Sequence, residues 1–189
     1  MTMSEGAVPS LSEFLSLGWA RLIAGATSPE AAARHPTLGT FGLSGWPEMR
    51  SVVLRRADPD AAILEVHTDV ASEKVSELRE NGHAGLHVWD PAEALQIRLR
   101  GRMQEIPRKD LPDIWEKVPA HARKVYGGHP YPGYAIHSPN DYTDDPQIDR
   151  FAVLRLSVEE IELLLIDPEK HKRAVFRRVD GFAGQWIAP

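Results

Sequence analysis

The 189-residue chain has no cysteine, which excludes disulfides and thiolate metal ligation and fits a reducing compartment. Nor is there an apolar run of the roughly 18 residues a membrane helix needs, and Met1–Ser10 lacks the basic segment and apolar core of a secretory signal. The expectation is a cytoplasmic protein with no membrane partner. Positive charge is not in excess: 22 Lys and Arg face 27 Asp and Glu, for a formal charge of −5, which argues against a nucleic-acid partner. A glycine-rich phosphate loop is missing too, so any nucleotide must be held by side chains and a helix end. No internal repeat breaks the chain, and its one biased patch is Ala31–Ala33.

What is present suits one packed core. The chain is long enough for a single domain over residues 1–189. It divides into an N-terminal helical segment (1–35), a core sheet (36–106), a helix and long loop (107–149) and C-terminal strands (150–189). Leu11, Phe14, Leu15, Gly18, Trp19, Leu22 and Ile23 recur at helical spacing behind a Ser10 or Ser12 cap, and the helix should end near Gly25. Ser28 to Arg34 reads as a further turn with Pro29 at its first position.

From Pro36 the period becomes alternating. Thr37–Ser44 reads as a strand, Gly45-Trp46-Pro47 as a turn, and Met49–Arg56 as the antiparallel partner. Ala61–Thr68 follows as a strand, then a helix over Ser72–Glu80 with Val75 and Leu78 inward, then strands Ala84–Trp89 and Leu95–Glu105. Leu111, Ile114, Trp115 and Val118 mark a second helix ended or interrupted at Pro119, with Ala122–Tyr126 as its continuation. Gly127–Asp149 is a loop of the length that is either functional or disordered. Phe151–Ser157, Ile161–Ile166 and His171–Val179 read as three closing strands, and Gln185–Pro189 is too apolar for a free tail. Antiparallel strands in a meander, with helices set aside, indicate a mainly β fold: a small barrel or curved sheet of about six to eight strands.

Chemistry concentrates between Glu48 and Gln96. If Ser72 caps its helix, Lys74 lies in a first turn whose dipole disfavours a cation by a few tenths to ~1 kcal/mol, so an anion beside it makes better sense. The amides of that turn, the Ser72 hydroxyl, Lys74 and the fork of Arg50 together suit a phosphate. The plain alternative pairs Lys74 with Glu73 or Glu77 on a solvated face. Arg98, Arg100 and Arg102 form a basic row without interleaved aromatics, and His67, His83 and His87 lack metal-ligand spacing, so no metal is assigned. Tyr131, Tyr134, His137 and Tyr142 either line a substrate pocket or cover the barrel.

Taken in order, Thr37-Leu38-Gly39-Thr40, Arg50-Ser51-Val52-Val53-Leu54-Arg55, His67-Thr68, Ser72-Glu73-Lys74, Asn81-Gly82-His83-Ala84, Trp89 and Gln96-Ile97-Arg98-Leu99-Arg100-Gly101 resemble the pyridoxamine 5'-phosphate oxidase family. The likeness spans Pro36 to Ile106 and returns at Ile161-Glu162, His171, Arg173 and Trp186-Ile187-Ala188-Pro189. It implies an antiparallel FMN-binding split β-barrel, a homodimer with FMN between the subunits. By position it implies Arg50 and Lys74 on the FMN phosphate, with Ser72 in the phosphate turn, and the backbone of Ser51, Val52, Val53, Leu54 and Arg55 along the flavin. His67 and Thr68 would contact the cofactor, while Gln96 and Arg173 would reach the ring from the other subunit. No catalytic side chain is assigned.

Three departures mark a divergent branch. Glu73 stands where the oxidase has an arginine, Leu163-Leu164 where a tryptophan is expected, and Gly127–Asp149 shows no match to the tyrosine, arginine and serine that hold the substrate phosphate. The functions to weigh are an FMN-dependent oxidoreductase of unidentified small-molecule substrate, a non-catalytic flavin or haem carrier, and a structural dimer module without cofactor.

Overall fold

The computed structural model describes residues 9–189, so the reading of Met1–Ser10 lies almost wholly outside it. Ser10 opens helix α1 (Leu11–Thr27) with a closed capping box: its hydroxyl accepts the Glu13 amide, and the Glu13 carboxylate accepts the Ser10 amide. Phe14, Trp19 and Leu22 bury one stripe of α1 in the main core. The helix runs two residues past Gly25. The following turn is a single 3-10 turn at Ala32–Arg34, later than the sequence suggested, and Pro29 lies outside it.

Strands β1 (Thr37–Phe41), β2 (Pro47–Ser51), β3 (Leu54–Asp58) and β4 (Ile63–Asp69) precede helix α2 (Glu73–Glu80). Next come β5 (His83–Asp90), β6 (Leu95–Glu105), the short helices α3 (Leu111–Lys117) and α4 (Ala120–Arg123), and finally β7 (Phe151–Leu165), β8 (Lys172–Arg177) and β9 (Gln185–Trp186). Every strand pairing is antiparallel, in the order β2-β1-β5-β6-β7-β4-β3, with β8 on β7 and β9 on β8.

Two sequence expectations fail for one reason, a change of partner. The strand expected over Met49–Arg56 is two: β2 pairs with β1, β3 pairs with β4, and Val52-Val53 carries the chain between these two ends of the sheet path. That crossing curls the sheet into a barrel. Conversely, Phe151–Ser157 and Ile161–Ile166 are one fifteen-residue strand, β7, which pairs with β6 along one edge. Its other edge takes β4 at Phe151–Ser157 and β8 at Glu160–Leu165. The register slips between Arg100 and Gly101, where Glu159 is the extra residue. A Cβ on Gly101 would sit 2.0 Å from the Ser157 carbonyl oxygen, so the close approach requires glycine. The first strand stops at Phe41, short of Ser44, and the strand expected over His171–Val179 is limited to Lys172–Arg177.

The main core gathers Leu38, Leu64, Val66, Val75, Leu86, Ile97, Leu99 and Leu163 inside the barrel. A second, smaller cluster packs Leu111 and Val118, with Tyr126, on Phe151 and Val153 of β7. The C-terminal segment is anchored as its composition suggested: Trp186 stacks on Phe14 at 5.5 Å and the Ile187 amide donates to the Arg173 carbonyl. No helix among the described residues is long and apolar enough to cross a membrane.

Candidate functional site

α2 begins against the barrel wall, and four of the residues singled out from sequence meet there. Lys74 Nζ donates to Thr68 Oγ1 at 3.1 Å, the Thr68 and Ser72 hydroxyls lie 3.0 Å apart, and Ser72 Oγ donates to the Asp69 carbonyl at 2.7 Å. Ser72 holds the N-cap position, yet its side chain makes no cap bond to α2, so the amides of the first turn keep no side-chain partner. Both hydroxyl protons are committed inward along this chain. The Val75 amide donates to the Ser72 carbonyl, so the donors left for an anion are the Lys74 ammonium and the Glu73 and Lys74 amides. Burial first, and Arg50 second, hold the Lys74 ammonium below its usual range, while Glu77 and Asp69 act the other way. Among the described residues no carboxylate lies within 4.0 Å of Lys74, so the plain pairing with Glu73 or Glu77 is not found. Glu73 points to solvent at the rim.

Arg50 reaches the same place from β2. Its guanidinium donates to both Glu77 oxygens, at 2.9 and 3.1 Å, and to Thr40 Oγ1, which in turn donates to Glu77 at 2.6 Å. Glu77 has 0% exposure. Sequence reasoning missed it; the signal was a carboxylate next to the inward Leu78 on an eight-residue helix.

Asp69, also missed, ties this site to the long loop. Buried at 4% exposure, it accepts from Ala71 N and from Nε and a terminal nitrogen of Arg150 on one oxygen, and from Gly127 N at 2.9 Å on the other. Both ends of the loop thus hang on one carboxylate. Gly127 has φ +124°, and a Cβ there would lie 1.9 Å from the Asp145 carbonyl oxygen, so the first stem requires glycine.

On the other face of β4, His67 meets Phe151 edge-on at 5.0 Å. Burial, reinforced by Arg55, pushes its imidazole down from 6.5 to about 4, and Nδ1 is buried without a partner. Arg55 Nε is likewise buried and unpartnered, and among the described residues no carboxylate lies within 4.0 Å of that guanidinium. Beside them burial raises the Tyr126 hydroxyl, an effect that Arg55 partly offsets. Two orphaned nitrogens and an uncompensated cation make a second anion-compatible corner.

Ser51 is exposed, Leu54 is in the core at 0% exposure, and the Val52 amide donates to the Pro36 carbonyl. Gln96 and Arg173 are not brought to the cradle. Arg50 lies opposite Leu38, which faces the core, whereas Gln96 pairs with Trp89 and shares the outer face with His87 and Arg98. Gln96 Oε1 is 3.3 Å from His87 Nε2. Arg173 stands on that outer face, two strands from Gln96 across Leu164, and donates to both oxygens of Glu162 at 3.1 Å. A cavity of about 990 Å³ opens beside it, between Asp167–Lys172 and the C-terminal residues from Trp186. Arg98 and Arg100 of the basic row pair with Glu162 and Glu160. Among the described residues no group of three or more His, Cys, Asp or Glu could hold a metal ion.

The family model described as pyridoxamine 5'-phosphate oxidase, FMN-binding domain, matches residues 17–107, which include every residue of the cradle. Over residues 17–107 the chain is thus similar to this oxidase family. Among its relatives, pyridoxine/pyridoxamine 5'-phosphate oxidase 2 of Arabidopsis thaliana is 27% identical over 164 residues, 80% of each chain. An Acinetobacter baumannii pyridoxine/pyridoxamine 5'-phosphate oxidase is 33% identical over 103 residues, 54% of this chain and 45% of that one. The chain therefore spans under half of the bacterial oxidase and four fifths of the plant protein. In fold, it superposes on a pyridoxamine 5'-phosphate oxidase-related, FMN-binding protein of Nostoc punctiforme with a TM-score of 0.74 at 24% identity, covering 97% and 99% of the two chains. The antiparallel split barrel is thus the fold of this chain.

Proposed function

We propose that this protein binds FMN at the Arg50–Lys74 cradle and acts as a cytoplasmic FMN-dependent oxidoreductase, a homodimer of single-domain subunits. The observation that carries the reading is the half-buried Lys74 ammonium, without a carboxylate partner, beside Arg50 and the uncapped first turn of α2. These residues fit a phosphorylated flavin: Lys74 and Arg50 meet the phosphate, and Thr68 and Ser72 hold Lys74 in place. The backbone of Ser51, Val52, Val53, Leu54 and Arg55 runs past the ring, with His67 and Thr68 at its edge. Because Gln96 and Arg173 occupy the opposite sheet face from Arg50, one flavin can meet both sets only with Gln96 of the partner subunit and Arg173 of the partner subunit.

The bound flavin supplies two-electron redox chemistry at its ring. The chain supplies position and charge. Arg55, with its unpartnered Nε, and the neutral imidazole of His67 favour a small substrate bearing an anionic group. Titration with FMN should quench flavin fluorescence, and Arg50→Ala or Lys74→Ala should each weaken binding by about 1.5–3 kcal/mol. Unchanged affinity in both variants removes the anchor. Bleaching of bound flavin by a nicotinamide or an amine then separates an enzyme from a carrier.

One observation favours a different reading. Glu77 neutralises Arg50 within the chain and Glu73 adds negative charge at the rim, as suits a module with no cofactor. A colourless protein that ignores added FMN would support that module, and a Soret band would support a haem carrier.

A further inference from the structure

The cradle contains a charge of the wrong sign for its proposed ligand. Arg50 and Lys74 bring two positive charges, and Glu77, fully buried, brings one negative charge. Asp69 is matched by Arg150 and leaves the balance unchanged. The inner cradle is thus net positive by one charge, whereas a phosphate monoester carries about −1.5 to −2 at pH 7. Buried charges are little screened by salt, so each is felt by its neighbours.

We propose that Glu77 is the resident counter-ion of the cradle: it balances Arg50 and Lys74 before an anion binds, opposes a dianionic phosphate once bound, and so sets how strongly the site prefers a phosphorylated ligand. The inference rests on the flavin reading and extends it. Two contacts and one longer-range charge effect carry it. Glu77 holds the Arg50 guanidinium through both oxygens, accepts the Thr40 hydroxyl, and supports the charge of Lys74 against burial and against Arg50. The same carboxylate that lets two cations coexist inside the barrel therefore competes with a ligand for them. The buried face of α2 does not need a charged residue there to pack, since its other buried residues, Val75 and Leu78, are apolar.

Glu77→Gln keeps the size and hydrogen-bonding reach of the side chain and deletes the charge. FMN affinity should rise by about ten-fold or more, because deleting the charge removes a repulsion between Glu77 and the ligand phosphate that weakens with their separation. Riboflavin, which has the same ring and no phosphate, should bind as it does to the parent. Without ligand the variant should melt at a lower temperature, and inorganic phosphate should raise that temperature more than it does for the parent. Glu77→Asp keeps the charge and should leave the FMN-to-riboflavin preference at the parent value. An unchanged or reduced FMN preference in Glu77→Gln overturns the proposal, as does a Glu77→Asp variant that behaves like Glu77→Gln. Should Glu77→Gln not fold in chloride, recovery in phosphate at equal ionic strength supports the counter-ion role, and no recovery refutes it. If the parent binds neither FMN nor riboflavin, the flavin reading fails by itself. The phosphate melting shifts then decide Glu77 alone: a larger shift in the variant supports the proposal, and equal shifts end it.

Discussion

His67 shows how a single side chain can make stability depend on pH. Its imidazole is pushed from 6.5 down to about 4 by burial, with Arg55 adding to the effect, so the folded chain binds fewer protons than the unfolded one between those values. The stability from keeping it neutral is complete above about pH 6.5 and is lost as pH falls through about 4. Its size is on the order of 3 kcal/mol. Urea unfolding at a series of pH values should show this decline, and His67→Phe should flatten it; an identical slope in that variant rules His67 out as the source. The same buried corner explains why Arg55 was only half legible in the sequence. Its place beside Val52-Val53-Leu54 suggested backbone contact, but only the fold shows that its Nε and His67 Nδ1 both lie inside without partners.

Asp69 joins two elements that are far apart in the chain, the head of α2 and the loop after α4. Asp69→Asn keeps an acceptor for only one of the Ala71 and Gly127 amides, which bond different oxygens, and leaves Arg150, only 14% exposed, without its counter-charge. The change should destabilise the protein by about 3 kcal/mol. It should also speed chymotrypsin cleavage at Tyr134 and Tyr142, which are 69% and 52% exposed, relative to Phe41 at the end of β1, which is 60% exposed. Equal acceleration at Phe41 would mean general loosening and would refute the clamp. Elements with strong alternation were readable from sequence, and β6 ends where its apolar positions Leu95, Ile97, Leu99 and Met103 place it. Val52-Val53 was not readable as a break. Both residues favour strands, and what changes there is the partner, a non-local property. The reverse error arose at Glu159: a bulge keeps β7 continuous through a polar stretch at which the sequence reads as two strands. The cradle was legible in Arg50, Thr68, Ser72 and Lys74 because cations and hydroxyls mark themselves. Glu77 was not, because a carboxylate on a short helix reads as solvated until its face is known.

At the scale of the whole molecule, the opposite facing of Arg50 and Gln96 ties the proposed flavin site to a dimer. Light scattering should give twice the 21.1 kDa chain mass, and dilution that dissociates the dimer should release the flavin. A flavin-loaded monomer would remove Gln96 and Arg173 from the cofactor site. Leucine or methionine at Gln96 should lower FMN and riboflavin affinity alike, because the amide addresses the ring and not the phosphate. The position of β7 has a separate consequence, for biosynthesis. It touches β6, β4 and β8, yet it is made only after residue 150, so a nascent chain leaving the ribosome carries the long flank of β6 and the whole of β4 as open templates for aggregation. A chain stopped just before Phe151 should therefore be insoluble, while the same residues co-expressed with a separate 151–189 fragment have a route to closure.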